Sequence, residues 1–142
     1  IMLVASPDYI EKYGAPESPE DLLKHRCLPL GHAVDWAFMS ADGKVHKVSV
    51  ANPISLNLGD AVSDLVESGM GIGMASYWHA GPSLKSGRVI QILPDYKLVN
   101  DTKIWAVRPP GRVLPVRVKV FLDFIEKKIV DTNKVRYGDL LM

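Results

Sequence analysis

Between Ile54 and Ala75 the hydrophobic pattern changes period twice, and this restricts the fold more than any other feature of the chain. Ile54 to Leu58 reads as a strand. Over Gly59 to Ser68, Leu58, Ala61, Val62, Leu65, Val66 and Gly69 recur at helical spacing, which predicts an amphipathic helix. Ile72-Gly73-Met74-Ala75 is then a short apolar run of strand type. Strand, helix and strand in this order normally close right-handed into a parallel sheet, so the fold class is α/β.

The rest of the chain supplies the elements that such a sheet needs. Ile1-Met2-Leu3-Val4-Ala5 is apolar without alternation, as in a strand buried on both faces. Ser6 suits an N-cap, Pro7 the first helical position and Gly14 the stop of a short helix. Ser18-Pro19-Glu20-Asp21 before Leu22-Leu23 has the form of a capping box and predicts a second short helix ending near His25. Strands are expected at 27–30, 36–40 and 45–50, the last two joined into a hairpin by Ala41-Asp42-Gly43-Lys44. Tyr77 to Lys85 reads as a loop or short helix, and Val89 to Leu93 and Thr102 to Val107 as strands. A long helix starts at Pro115 with Val118, Phe121, Leu122, Ile125 and Ile129 on one face, and the residues after Val130 are expected to form a loosely ordered tail.

Composition excludes several classes of function. With 47% hydrophobic and 23% charged residues in 142, the chain falls in the range of one globular domain. The net charge is +1 and the basic residues are interspersed with acidic ones, so no stripe for tracking phosphates is present. No apolar stretch approaches the roughly 20 residues of a membrane-spanning helix. The lone Cys27 forms no disulfide framework and fits a reducing compartment, which points to the cytoplasm. A chain that opens directly on a core strand is expected to be part of something longer, because that strand needs neighbours on both sides.

Chemistry-bearing constellations are few. His25, His32, His46 and His79 pair neither with each other nor with Cys27 at metal-site spacing, so no metal is expected. No serine sits in a G-x-S-x-G elbow, and no catalytic residue is assigned. Gly69-Met70-Gly71-Ile72-Gly73 is not a dinucleotide loop: those glycines follow a strand and open a helix, whereas these follow a helix and open a strand. No cofactor is expected. The strand-to-helix junction Leu56-Asn57-Leu58-Gly59-Asp60 is the best candidate for binding, since open α/β sheets take ligands at the carboxyl ends of their strands. Asn57 stands there either as a helix cap or as a ligand contact, while Asp60 in the first turn argues against a strongly anionic ligand. Tyr77 and Trp78, at another strand end, are either core or the rim of a pocket.

The chain resembles the effector-binding domain of LysR-type transcription regulators. The residues that carry the likeness are Val4-Ala5-Ser6-Pro7-Asp8-Tyr9-Ile10, then Pro16, Pro19-Glu20-Asp21-Leu22 and His25-Arg26-Cys27-Leu28, Trp36-Ala37-Phe38, the run 69–73, Gly87-Arg88-Val89, Leu93-Pro94-Asp95 and 121–125. The resemblance implies a fold like that of periplasmic solute-binding proteins, two α/β subdomains joined by two crossing strands, with a small effector in the cleft. Residues 1–5 would be the first crossing strand, 6–103 the second subdomain, and 104–142 the return strand and last helix of the first. The N-terminal winged helix-turn-helix of the family is absent from this chain, so DNA would be bound only through it. The resemblance also implies that Ser6 at the hinge, Asn57, Leu58 and Gly59 at the helix start, and Ala75 and Ser76 after the glycine run face the cleft, and that the intact protein works as a homodimer or homotetramer, away from membranes. Two other readings share the architecture. An exported solute-binding protein of a transporter would carry a signal peptide upstream, and a small α/β enzyme would need a clustered acid, base or nucleophile.

Overall fold

The computed structural model describes residues 1–50, 54, 56–99, 105–107, 111 and 113–137, the last six of these by their backbone alone. The chain divides into two compact units, Ile1–Asn100 and Asp101–Met142.

The first unit is organised by β1 (Met2–Ala5), every residue of which is buried. It is followed by α1 (Pro7–Tyr13), a 3-10 helix (Pro19–Lys24), β2 (Cys27–Leu28), β3 (Asp35–Met39), β4 (Val45–Ser49), α2 (Gly59–Glu67), β5 (Ile72–Ala75), α3 (Tyr77–Lys85), β6 (Ile90–Ile92) and β7 (Lys97–Leu98). A four-stranded sheet runs β2-β5-β1-β6, and a three-stranded sheet runs β4-β3-β7. β2 and β5 are parallel, whereas β1 runs antiparallel to β5 and β6, with Met2 opposite Ala75 and Val4 opposite Gly73. Alternation along β1 sends Met2 and Val4 to one face and Leu3 and Ala5 to the other. Met2 and Val4 join Leu28, Val62, Val66 and Ala80 in a core beneath α2 and α3. Leu3 and Ala5 join Tyr9, Leu22, Trp36 and Phe38 in a second core, which couples the large sheet to α1, the 3-10 helix and the small sheet.

Local expectations at the ends of elements are met in detail. The Ser6 Oγ accepts the Tyr9 N–H at 3.2 Å, and Gly14 ends α1 at φ 81°. Asp21 accepts from the Ser18 N–H at 3.1 Å and from its hydroxyl at 3.0 Å, although the turn that follows is a 3-10 helix and not an α-helix. The hairpin turn is pinned by Asp42, which accepts from Lys44 N–H at 3.1 Å.

Five features differ from the expectations. Of the strand expected at 54–58, the described residues keep one bridge, Leu56 parallel to Leu30, with Ser55 outside the described set. Trp105–Val107 form no strand and are exposed, and Thr102 to Ile104 lie outside the described residues. Lys97–Leu98, unassigned from sequence, forms β7 against β3, a pairing too short to leave a periodic signal. In the second unit, α4 (Val116–Tyr137) continues past Val130, so the tail expected there is helical through Tyr137. On α4, Val118, Leu122, Ile125 and Ile129 are half-buried as the pattern predicts, but Phe121 is exposed.

The glycine run closes α2 onto the sheet. Gly69 takes the left-handed conformation that ends the helix, with φ 74°. A Cβ at Gly71 would lie 2.3 Å from the Arg26 carbonyl oxygen, the acceptor for the Ile72 N–H, and one at Gly73 would lie 2.7 Å from a Val66 methyl. Gly71→Ala is therefore expected to destabilise the chain by about 3 kcal/mol, because the obstacle is a backbone carbonyl that cannot withdraw without breaking its bond to Ile72. A shift of the urea midpoint measures this.

Tyr9 makes a second anchor. Its hydroxyl accepts the Arg26 N–H at 2.9 Å and lies 3.2 Å from His25 Nδ1, to which its own O–H can donate when the imidazole is neutral. Burial holds the His25 imidazole below its ordinary value. The unfolded chain thus binds this proton more tightly than the folded one, and the stabilisation, full above a pH of about 6.5, is lost as pH falls through that value towards the lower folded one. Between pH 7.5 and 5.5 the urea midpoint of the wild type should fall further than that of His25→Gln.

Candidate ligand-binding site

Parallel β2 and β5 point their carboxyl ends to one edge of the sheet, and the N-termini of α2 and α3 open at that edge. Gly31 N–H donates to the Leu56 carbonyl at 2.5 Å, which holds the chain entering α2 against the loop that follows β2. Asn57 is exposed there. The N-cap of α2 is Leu58, with φ −123° and ψ 129°, and no side chain caps the helix. Of the two roles open to Asn57 in the sequence, the cap does not apply: the helix starts one residue later than a cap at 57 would need, and Leu58 is 64% exposed.

On the other side, β5 ends at Ala75 and Ser76 caps α3, its Oγ accepting the His79 N–H at 3.4 Å. The segment 77–85, ambiguous from sequence, is a helix. The same Ser76 Oγ lies 2.9 Å from His79 Nδ1, and His79 Nε2 lies 3.2 Å from the Asp60 carboxylate in the first turn of α2. Gly59 lets the imidazole approach, since a Cβ there would stand 3.3 Å from its Cε1. Leu58 and Trp78 add exposed apolar surface, and Tyr77 packs at the margin of the core under α2 and α3. The edge therefore combines Asn57, Leu58, Gly59, Ala75 and Ser76 with Asp60, which the sequence places at the same junction, and with one residue that sequence reasoning did not place there, His79. The i to i+3 spacing of His79 from Ser76 and the first-turn position of Asp60 were visible, but their meeting depends on the packing of α3 against α2.

Ser6 is elsewhere. It is 2% exposed, caps α1, and its Oγ would be 3.5 Å from a Cβ on Gly69, at the C-terminal end of α2. A helix of that length puts it roughly 15 Å from the opening at Gly59. The antiparallel register explains the separation: β1 leaves the sheet beside Ile72, whereas Ser76 leaves from the opposite edge, beside Met2. The structure thus brings together five of the six residues expected to face the cleft.

Other features are structural. A cavity of about 10 Å³ beneath α2 and α3, lined by Val4, Ser63, Val66, Glu67, Ala80, Ser83 and Val89, has room for about one water. Glu67 beside it accepts from the Ser83 hydroxyl and pairs with Arg88 at 3.2 Å. Two open concavities on the small sheet, of about 400 and 340 Å³, share no residue with the α2–α3 edge. Cys27 is fully buried and burial pushes its thiol up to about 12, so it packs as a small apolar group. Among the described residues no group of three or more His, Cys, Asp or Glu side chains is placed to hold a metal ion, and no helix is long and apolar enough to cross a membrane.

Comparison with known proteins agrees with this architecture. Among solved structures, the regulatory domain of AphB from Vibrio vulnificus superposes with a TM-score of 0.63 at 27% identity, covering 70% of this chain and 49% of that one. The same domain treated with cumene hydroperoxide gives 0.66 at 25% identity over 89% of this chain and 63% of that one. The transcriptional activator TtdR of Escherichia coli K12 is 31% identical over 129 residues, 87% of this chain and 40% of the activator. The transcriptional regulator DmlR of the same organism is 29% identical over 133 residues, 89% of this chain and 41% of DmlR. The chain thus spans about two fifths of the length of these curated relatives. The family model described as the LysR substrate binding domain matches residues 1–129. This chain, an α/β unit with the periplasmic-binding-protein-like fold of LysR-type regulatory domains, belongs to the LysR substrate-binding domain family.

Proposed function

We propose that this chain is the effector-sensing part of a bacterial LysR-type transcription regulator, and that a small polar metabolite binds at the edge formed by Asn57, Leu58, Gly59, Ala75 and Ser76. The observation that carries the reading is the convergence of two helix N-termini at the carboxyl ends of parallel strands, one of them without a side-chain cap. First-turn N–H groups lack intrahelical partners, and ligand oxygens satisfy them as well as water does. The exposed Leu58 and Trp78 would cover an apolar part of the same ligand. Ser6 is assigned a structural role in this reading.

The rest of the proposal concerns the whole protein. Residues 1–5 and the return segment from 104 would link this subdomain to a first subdomain, which includes the last helix of this chain and completes the cleft, and DNA would be bound by an N-terminal helix-turn-helix in a cytoplasmic dimer or tetramer. Support for a sensor over an enzyme comes from the family and from the roles of the polar groups, which cap helices or pair with neighbours. Support for DNA binding elsewhere in the protein is the charge of this chain, +1 over 142 residues.

Two measurements test it. In calorimetry on the full-length protein with a metabolite selected by thermal-shift screening, Asn57→Ala and Ser76→Ala should each weaken binding at least tenfold. Asn57→Ala should change stability by under about 0.5 kcal/mol, as for an exposed residue without a capping role, whereas Ser76→Ala should lose about 1 kcal/mol with its cap. Unchanged affinity in both variants would sink the site. In a gel-shift assay at physiological salt, the 142-residue chain alone should leave duplex DNA free at micromolar concentration, while the full-length protein shifts its operator.

A further inference from the structure

We propose that His79 is a proton-sensitive latch between the N-termini of α2 and α3, so that the geometry of the effector site follows pH; this rests on the reading of that edge as the site. The latch is a continuous chain of three side chains. Ser76 Oγ and His79 Nδ1 are 2.9 Å apart, and His79 Nε2 and Asp60 Oδ1 are 3.2 Å apart. It reaches an end of α2 that has no side-chain cap of its own, so a residue of α3 holds that end. Gly59 leaves the space that the ring occupies.

Two protonation states satisfy these contacts in different ways. In the neutral imidazole, the Ser76 hydroxyl donates to Nδ1, and Nε2–H donates to the Asp60 carboxylate. In the imidazolium, Nδ1–H donates to the Ser76 oxygen, and Nε2–H donates to Asp60 as an ion pair, which adds charge–charge attraction to a bond that the carboxylate alone assists in the neutral state. Protonation therefore tightens the link from α3 to α2. It also reverses the hydroxyl at Ser76, which gives up its donation to the ring and is free to donate into the site. One proton thus changes both the spacing of the two helix ends and the hydrogen-bonding character of a residue that faces the ligand.

The groups around the ring leave Asp60 as the partner that matters. α3 packs against α2 and β5. β5 has no titratable side chain, and on α2 the other acidic residues are Asp64, a turn further along, and Glu67, which pairs with Arg88. Lys85, the basic residue of α3, is at its far end. Asp60 is 82% exposed, so the strength of the latch is also expected to fall with added salt.

The test is an NMR pH titration of the full chain from 5.5 to 8.0, the range in which imidazoles change charge and ordinary carboxylates do not. The amide resonances of Gly59, Asp60 and Ala61 should move with the same midpoint as the His79 ring. In Asp60→Asn, which keeps the ring and the fold, and in His79→Gln, their movement should fall at least threefold. Amides that do not move in the wild type, or that move equally in both variants, would overturn the latch. His25 titrates at a different part of the fold and serves as an internal control in every variant. The site reading is judged separately by effector binding to Asn57→Ala, which alters no atom of the latch: lost binding beside an unresponsive α2 sinks the latch and keeps the site.

Discussion

Burial of both faces of β1 is the constraint on which the rest of the first unit depends. Four consecutive residues, Met2 to Ala5, have almost no contact with water. Hydrogen bonds to β5 and β6 satisfy their backbone, and two different cores take up their side chains. With apolar burial contributing about 25 cal/mol per Å², and each residue shared between neighbours on both sides, this strand joins the layers that would otherwise be separate hairpins and helices. The helices α2 and α3 cover one face. The Trp36 and Phe38 side chains of the small sheet, with Tyr9 and Leu22, cover the other.

The antiparallel direction of β1 within a partly parallel sheet also sorts the loops into two groups. Ser6, Gly69 and Arg26 gather at one edge, around the tight entry into β5. Asn57, Gly59, Ser76 and His79 gather at the other. The first edge is built for closeness: Gly71 and Gly73 let β5 pass within van der Waals distance of the Arg26 backbone and of Val62 and Val66. The second is built for access, with an uncapped helix, exposed apolar side chains and an ion pair in solvent.

Histidines serve differently at the two edges. His25 sits in a partly buried site where the phenol of Tyr9 lies against Nδ1, and its environment disfavours the charge. His79 is 42% exposed and faces a carboxylate, an environment in which both forms of the ring keep two partners. The same residue type is thus a structural element in one place and a candidate control element in the other, and the difference lies in the neighbours that tertiary packing supplies.

Much of the fold was legible in the chain itself because its signals are local. Caps at Ser6 and Ser18, the Asp42-Gly43 turn, the helical period of 59–68 and the unalternating run at the N-terminus each involve residues within a few positions of one another, so spacing alone carries the physics. Family membership was likewise legible, since the ordered motifs span most of the chain. Tertiary structure decided the rest. Among the described residues of 54–58 it left one bridge; it also put Leu58 and not Asn57 at the start of α2, added β7, extended α4, and left 105–107 without strand pairing. It also set Ser6 at the opposite edge from Gly59 and Ser76, and brought Asp60 to His79, residues 19 apart in sequence. Sheet register and helix packing determine which distant residues meet, and neither leaves a periodic trace in the sequence; local hydrogen bonding does, which is why the elements could be read from the sequence and the site only in part.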